Sequence, residues 1–141
     1  METTNKITIT IEAIVNASVE KVWKFWTLPE HISKWNNASN DWHTPFAEND
    51  LKEGSKFLFR MEAKDKSFGF DFSGIYNDVL INESLIYTLD DGRKVKILFT
   101  SIGNETKITE IFEAESTNSI DLQKTGWQAI LDNFKKYAEI N

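Results

Sequence analysis

Glu110 is the residue whose setting points most directly to chemistry. It lies in Ile108-Thr109-Glu110-Ile111-Phe112, a stretch of strand period that puts Ile108, Glu110 and Phe112 on one side. If that side is the interior, a carboxyl group stands on an apolar wall. Desolvation would raise its pKa and suit it to general acid or base work, or to anchoring a ligand hydroxyl. The structural alternative is that it reaches a polar partner or water near the cavity mouth, or that a one-residue bulge turns it outward. Tyr87, in Leu85-Ile86-Tyr87-Thr88-Leu89, is the second polar handle on an apolar face. Its hydroxyl needs a partner if buried. Trp42-His43 sits in a polar stretch, where Trp42 either stacks on an aromatic ligand as part of a lid or anchors the segment to the core.

Other chemistries find little support. With no cysteine there is no disulfide framework, thiolate nucleophile or sulfur-ligated zinc. His31 and His43 have no paired carboxylates at ligand spacing, and the acidic residues do not follow a calcium-loop pattern, so neither metal nor cofactor is expected. There is no glycine-rich phosphate loop and no nucleophile elbow. Ser33 beside His31 completes no triad, and His31, among charged neighbours, is expected to face solvent. The net charge of −6 repels phosphate backbones and argues against nucleic acid as a partner. The opening METTNKITITIE lacks the basic start and apolar core of a secretory signal, and no apolar run reaches membrane-spanning length. With the absence of cysteine, this leads to the expectation of a cytoplasmic protein without membrane insertion.

The elements that must position Glu110 and Tyr87 follow from periodicity. Ile7, Ile9 and Ile11 alternate with Thr8, Thr10 and Glu12 as a first strand. Ser18 caps a helix whose apolar stripe is Val19, Val22, Trp23 and Trp26. Pro29 stops it and opens a second short helix ending near Trp35, with Leu28 where a capping side chain would help. Positions 36–54 read as a long loop. Strands follow. Phe57, Phe59 and Met61 face Phe68, Phe70 and Phe72 across a two-residue turn at Asp65-Lys66, which sets Arg60 opposite Asp71. Leu85, Tyr87 and Leu89 join Val95, Ile97 and Phe99 through the loop Asp90-Asp91-Gly92, and Gly103-Asn104 then sets Phe99 opposite Ile108. From about Asn118 a long helix carries Ile120, Trp127, Ile130, Leu131, Phe134 and Tyr137 on one face.

The predicted fold class is therefore α+β: a curved six-stranded antiparallel sheet around a long C-terminal helix, with two short helices after the first strand, in one domain over residues 1–141. One helix cannot fill the concave face of such a sheet, so a cavity is expected. The candidate ligand-binding residues are Trp35, Trp42, Phe57, Phe59, Phe70, Phe72, Tyr87, Phe99, Glu110, Trp127, Leu131 and Phe134. Trp23 and Trp26 are assigned mainly to the core.

Ala17-Ser18-Val19-Glu20-Lys21-Val22-Trp23, Trp26-Thr27-Leu28-Pro29-Glu30-His31 and Trp35 together resemble the opening motif of the START-like, or SRPBCC, superfamily. More narrowly, the chain resembles the branch named for the C-terminal domain of the heat-shock-protein-90 ATPase activator. Asn49-Asp50-Leu51 with Gly54, the Phe-rich hairpin with Gly74, Tyr87-Thr88, Thr106 to Glu110 and Gly126-Trp127 fit in order, so the resemblance covers nearly the whole chain. It implies a helix-grip fold with a hydrophobic cavity, and relatives that bind lipids, steroids, polyketides or plant phenolics. The motif usually carries Asp at position 28 and often Gly-Gly at 54–55, where this chain has Leu28 and Gly54-Ser55. Three functions are compatible with the resemblance. In order they are a binding module for a small hydrophobic ligand, a cyclase, aromatase or hydrolase using Glu110 and Tyr87, and an interaction module contacting a chaperone. The last ranks lowest because the chain has no room for the extra N-terminal domain of the eukaryotic activator.

Overall fold

The computed structural model describes residues 7–141. Strand β1 (Thr8–Val15) buries Ile9, Ile11 and Val15 and turns its threonines outward. Ile7 lies just before it. The chain then enters α1 (Val19–Thr27), where the Ser18 hydroxyl accepts from the Lys21 N–H at 3.3 Å. Leu28 ends α1 and starts α2 (Pro29–Trp35), which has no side-chain cap. The remaining elements are β2 (Trp42–Asn49), β3 (Lys56–Ala63), β4 (Gly69–Leu80), β5 (Ser84–Leu89), β6 (Lys94–Ile102), β7 (Glu105–Glu113) and α3 (Ile120–Ile140).

The strands form one antiparallel sheet in the order β1-β7-β6-β5-β4-β3-β2, curled as a half-barrel around α3. Among the described residues there are seven strands where periodicity predicts six. The extra one is β2, inside the stretch read as loop. Pro45 conceals it, because proline cannot donate to a ladder and is confined to edges and bulges. Both conditions hold: β2 is the sheet's last strand, and its register with β3 shifts between His43 and Phe46.

The predicted registers are otherwise those found. Phe59 faces Phe72, Met61 faces Phe70, and Arg60 faces Asp71 with its Nη1 3.2 Å from the carboxylate. The β3–β4 turn is longer than expected. Ala63 N–H donates to the Phe68 carbonyl at 2.9 Å, and the loop of residues 64–67 turns through Lys66 at φ 64°. Gly92, at φ 93°, closes the β5–β6 hairpin in the left-handed conformation that favours glycine.

Helix α3 begins later than expected and leaves Ile120 exposed, because Ser119 is its cap, with the Oγ accepting from the Leu122 N–H at 3.1 Å. Replacing Ser119 by alanine is expected to lower stability by about 1 kcal/mol, read as a reduced urea midpoint at unchanged slope. Leu131, Phe134 and Ala138 are fully buried against the sheet. Along the outer edge of β1, α3 supplies side chains in place of a neighbouring strand. Gln128 donates to the Glu12 carbonyl (3.2 Å), Lys135 to the Ile14 carbonyl (2.7 Å), and the Glu139 carboxylate accepts from the Asn16 N–H (2.8 Å).

Candidate functional site

A cavity of about 320 Å³ lies between the concave face of the sheet and the first half of α3. Alternation supplies its walls. β3 contributes Phe57, Phe59 and Met61, β4 contributes Phe70, Phe72 and Tyr76, and β5 contributes Leu85 and Tyr87. From α3, Gln123, Trp127 and Ile130 face it, and Trp26, Trp35 and Asn36 close the side formed by α1 and α2. The rings hold one another in place. Phe57 lies 5.2 Å from Phe59 and 4.9 Å from Tyr87, and Trp127 stacks on Phe112 at 3.8 Å.

Most polar groups around this space are already satisfied. The Tyr76 hydroxyl donates to Asn49 Oδ1 at 2.6 Å, and Asn49 in turn donates to the Thr27 carbonyl. Burial raises the Tyr76 pKa above the usual phenol range. The Trp35 indole donates to the Phe25 carbonyl at 2.9 Å. Gln123 clasps the β7–α3 loop: its amide donates to the Glu115 and Asn118 carbonyls, and its Oε1 accepts from the Glu115 N–H. Hydrogen bonds from Asn118 hold the Glu115 carboxyl below its ordinary value. Arg93 lines the cavity while its Nε donates to Asp91 at 2.8 Å.

Glu110 and Tyr87 differ from these. Both are buried, at 5% and 7% exposure, and both line the cavity. Neither side chain makes a hydrogen bond among the described residues, and their oxygens open onto the cavity. Glu110 faces Ile11 on one side and Ile97 on the other, so burial alone pushes its carboxyl up to about 8. Burial first, and the Glu110 charge second, raise the Tyr87 hydroxyl well above the usual phenol range.

Of the candidate ligand-binding residues, the structure brings Trp35, Phe57, Phe59, Phe70, Phe72, Tyr87, Glu110 and Trp127 together around the cavity. Phe99, Leu131 and Phe134 stand behind it in the core, with Phe134 4.8 Å from both Trp26 and Trp35. Trp42 begins β2 and contacts Phe68 and Phe70 at 6.0 Å, outside the lining. Trp26, assigned to the core from sequence, lines the cavity. Met61, Leu85 and Ile130 also line it, and their inward positions were readable from period. Asn36, Arg93 and Glu115 come from connecting segments, where spacing carries no such signal. His31 is not solvent-facing. It is half-buried, stacked 4.1 Å from Phe25, with Nδ1 2.6 Å from the Tyr137 hydroxyl. Desolvation is the main cause of its lowered pKa.

Residues 16–139 match the family described as activator of Hsp90 ATPase homolog 1-like protein. The chain belongs to that family. Solved structures agree with it. An AHSA1-like protein of Aeromonas hydrophila is 43% identical, with a TM-score of 0.90 over 95% of this chain and 93% of its own. A protein of Cytophaga hutchinsonii is 53% identical, with a TM-score of 0.82 over the same shares, 95% and 93%. A Chromobacterium violaceum protein, 18% identical with a TM-score of 0.84 over 94% of this chain and 96% of its own, shares the fold alone. No curated protein matches the chain. The AHSA1-like fold is of the START-like, or SRPBCC, type, which commonly binds hydrophobic ligands. Among the described residues, no helix is long and apolar enough to cross a membrane.

Proposed function

We propose that this AHSA1-like protein binds a small hydrophobic molecule, of the size of a few fused rings, between α3 and the sheet. The observation that carries this reading is the cavity itself: an aromatic-walled space of about 320 Å³, of a volume and lining usual for small-molecule sites. A fold that needed only to be stable would fill such a volume, since interiors are otherwise close-packed.

A thermal-shift and tryptophan-fluorescence screen against fatty acids, sterols, flavonoids and polyketide-like aromatics tests it. Trp26, Trp35 and Trp127 line the cavity, so an occupant should quench or shift their emission. A ligand at about 100 times its dissociation constant should stabilise the fold by about 2.7 kcal/mol. Silence from every class would refute the reading. Glu110 and Tyr87, buried and without a hydrogen bond among the described residues, favour a second reading in which the same cavity performs acid–base chemistry on its occupant. Turnover with a bell-shaped pH profile that both side chains control is its signature.

A further inference from the structure

We propose that the occupant is a flat, apolar carbonyl compound whose oxygen lies between Glu110 and Tyr87 and accepts a hydrogen bond from each. This rests on the cavity's being a ligand site, and it narrows the ligand's chemistry.

Tyr87 on β5 pairs with Val95 on β6, and Val95 pairs with Phe112 on β7. Glu110 is the next inward position along β7 after Phe112. The two polar side chains therefore stand on the same concave face, two strands apart, with only apolar Val95 and Ile97 pointing inward between them. Glu110 and Tyr87 line the same cavity, and Glu110 is near enough for its charge to act on the Tyr87 hydroxyl.

Burial holds Glu110 as the neutral acid at pH 6.5, so it offers one O–H donor and a carbonyl acceptor, while Tyr87 offers one O–H. A bare hydrocarbon would bury both donors unpaired, which costs about 1–3 kcal/mol for each. An alcohol oxygen also has two lone pairs, but its own proton then needs an acceptor, and the Glu110 carbonyl belongs to the same carboxyl group that must donate to it, a strained double contact. A carbonyl oxygen has two lone pairs and no proton, so it takes both donors. The acceptors left over are the Glu110 carbonyl and the Tyr87 oxygen, and under-used acceptors are tolerated better than orphaned donors. A cationic amine would require ionised Glu110 in an apolar setting, an arrangement that desolvation disfavours.

From β5 the Tyr87 hydroxyl lies within range of the Glu110 charge, and on β1 and β6 the register partners of Glu110 are Ile11 and Ile97. Tyr76 on β4, Arg93 and Glu115 share the same cavity, and α3 presents uncharged Gln123, Trp127 and Ile130. None of these charges moves the Glu110 carboxyl, which burial alone shifts.

The test uses three probes on one skeleton: 2-acetylnaphthalene, 1-(2-naphthyl)ethanol and 2-ethylnaphthalene. Their affinities are read by tryptophan quenching at pH 6.5 and pH 9.5, for the full chain and for its Glu110→Gln, Glu110→Leu and Tyr87→Phe variants. The ketone should bind the unaltered protein at least about tenfold more tightly than the hydrocarbon, and more tightly than the alcohol. Glu110→Leu and Tyr87→Phe should each reduce that preference. Glu110→Gln, whose amide still donates, should keep most of it. Raising the pH to 9.5 should erase the preference in the unaltered protein and leave it in Glu110→Gln. Difference infrared spectra of the unaltered protein give a readout that does not depend on any variant's folding: the bound ketone's C=O stretch should lie below its value in hexane. Equal binding of all three probes, or an unshifted carbonyl stretch, overturns the carbonyl assignment and leaves the cavity reading standing. Failure of all three to bind overturns the carbonyl assignment, and the wider ligand screen then decides the cavity reading.

Discussion

The Glu110→Gln protein is expected to hold its stability at alkaline pH where the unaltered protein loses it. The folded-state pKa of Glu110, about 8, stands above the ordinary glutamate value of 4.5. Below about pH 4.5 both folded and unfolded chains carry the proton, and the group contributes nothing to pH dependence. Between pH 4.5 and 8 the unfolded chain releases the proton while the folded chain keeps it, so stability falls as pH rises. The slope is at most about 1.4 kcal/mol per pH unit, which accumulates to about 5 kcal/mol by the time both states are ionised. Glutamine has nearly the same shape as the protonated acid and cannot ionise. The two proteins should therefore have similar stability near pH 4.5 and diverge steadily to pH 8, with the variant the more stable. Urea denaturation at four pH values from 4.5 to 9 measures this. Parallel stability curves would mean that Glu110 finds a charge-stabilising environment in solution.

Gly74→Ala is expected to be the most damaging single-methyl change in the sheet. A strand normally gains from a side chain at a glycine position, because glycine gives up more backbone entropy on folding. Here the contacts reverse the sign. A Cβ at Gly74 would lie 2.4 Å from the Thr88 carbonyl oxygen, 3.1 Å from Leu89 Cα and 3.1 Å from a ring carbon of Phe57. Two of these are backbone atoms of β5, which cannot step aside as a side chain can. β4 and β5 would have to part beside the bulge between Tyr76 and Asp78, and Phe57 would be pressed toward the cavity. Overpacking of this kind costs about 3 kcal/mol. Denaturant titration should show the loss, and an alanine protein as stable as the parent would show that the two strands separate freely at this point.

The sequence was most informative where period and turn chemistry agreed. The β5–β6–β7 meander follows from alternation together with Gly92 and Gly103, and it places Glu110 opposite Ile97. Alternation likewise puts Tyr87 on the inner face. β2 was hidden because an edge strand has only one partner to satisfy, and proline and polar residues are tolerated there. Trp26 and Trp35 show a different limit. The two rings are 4.8 Å apart and both border the cavity. Helical spacing gives the apolar face but cannot separate a ring that seals a core from one that borders a space. That difference depends on how far α3 stands from the sheet. Arg93, Asn36 and Glu115 reach the cavity through connections, whose paths only the assembled fold defines.

The side chains that α3 lays along β1 bear on how this sheet meets other molecules. A half-barrel has two edges, and each is a template on which a foreign strand can polymerise. From Glu12 to Asn16 one template is occupied, because Gln128, Lys135 and Glu139 already engage the backbone groups an incoming strand would seek. On the other, Pro45 and the shifted register of β2 interrupt the row of donors. Fibrillar growth by strand addition is thus obstructed at both margins, and the unfolding step that would expose β1 to it is the undocking of the C-terminal helix.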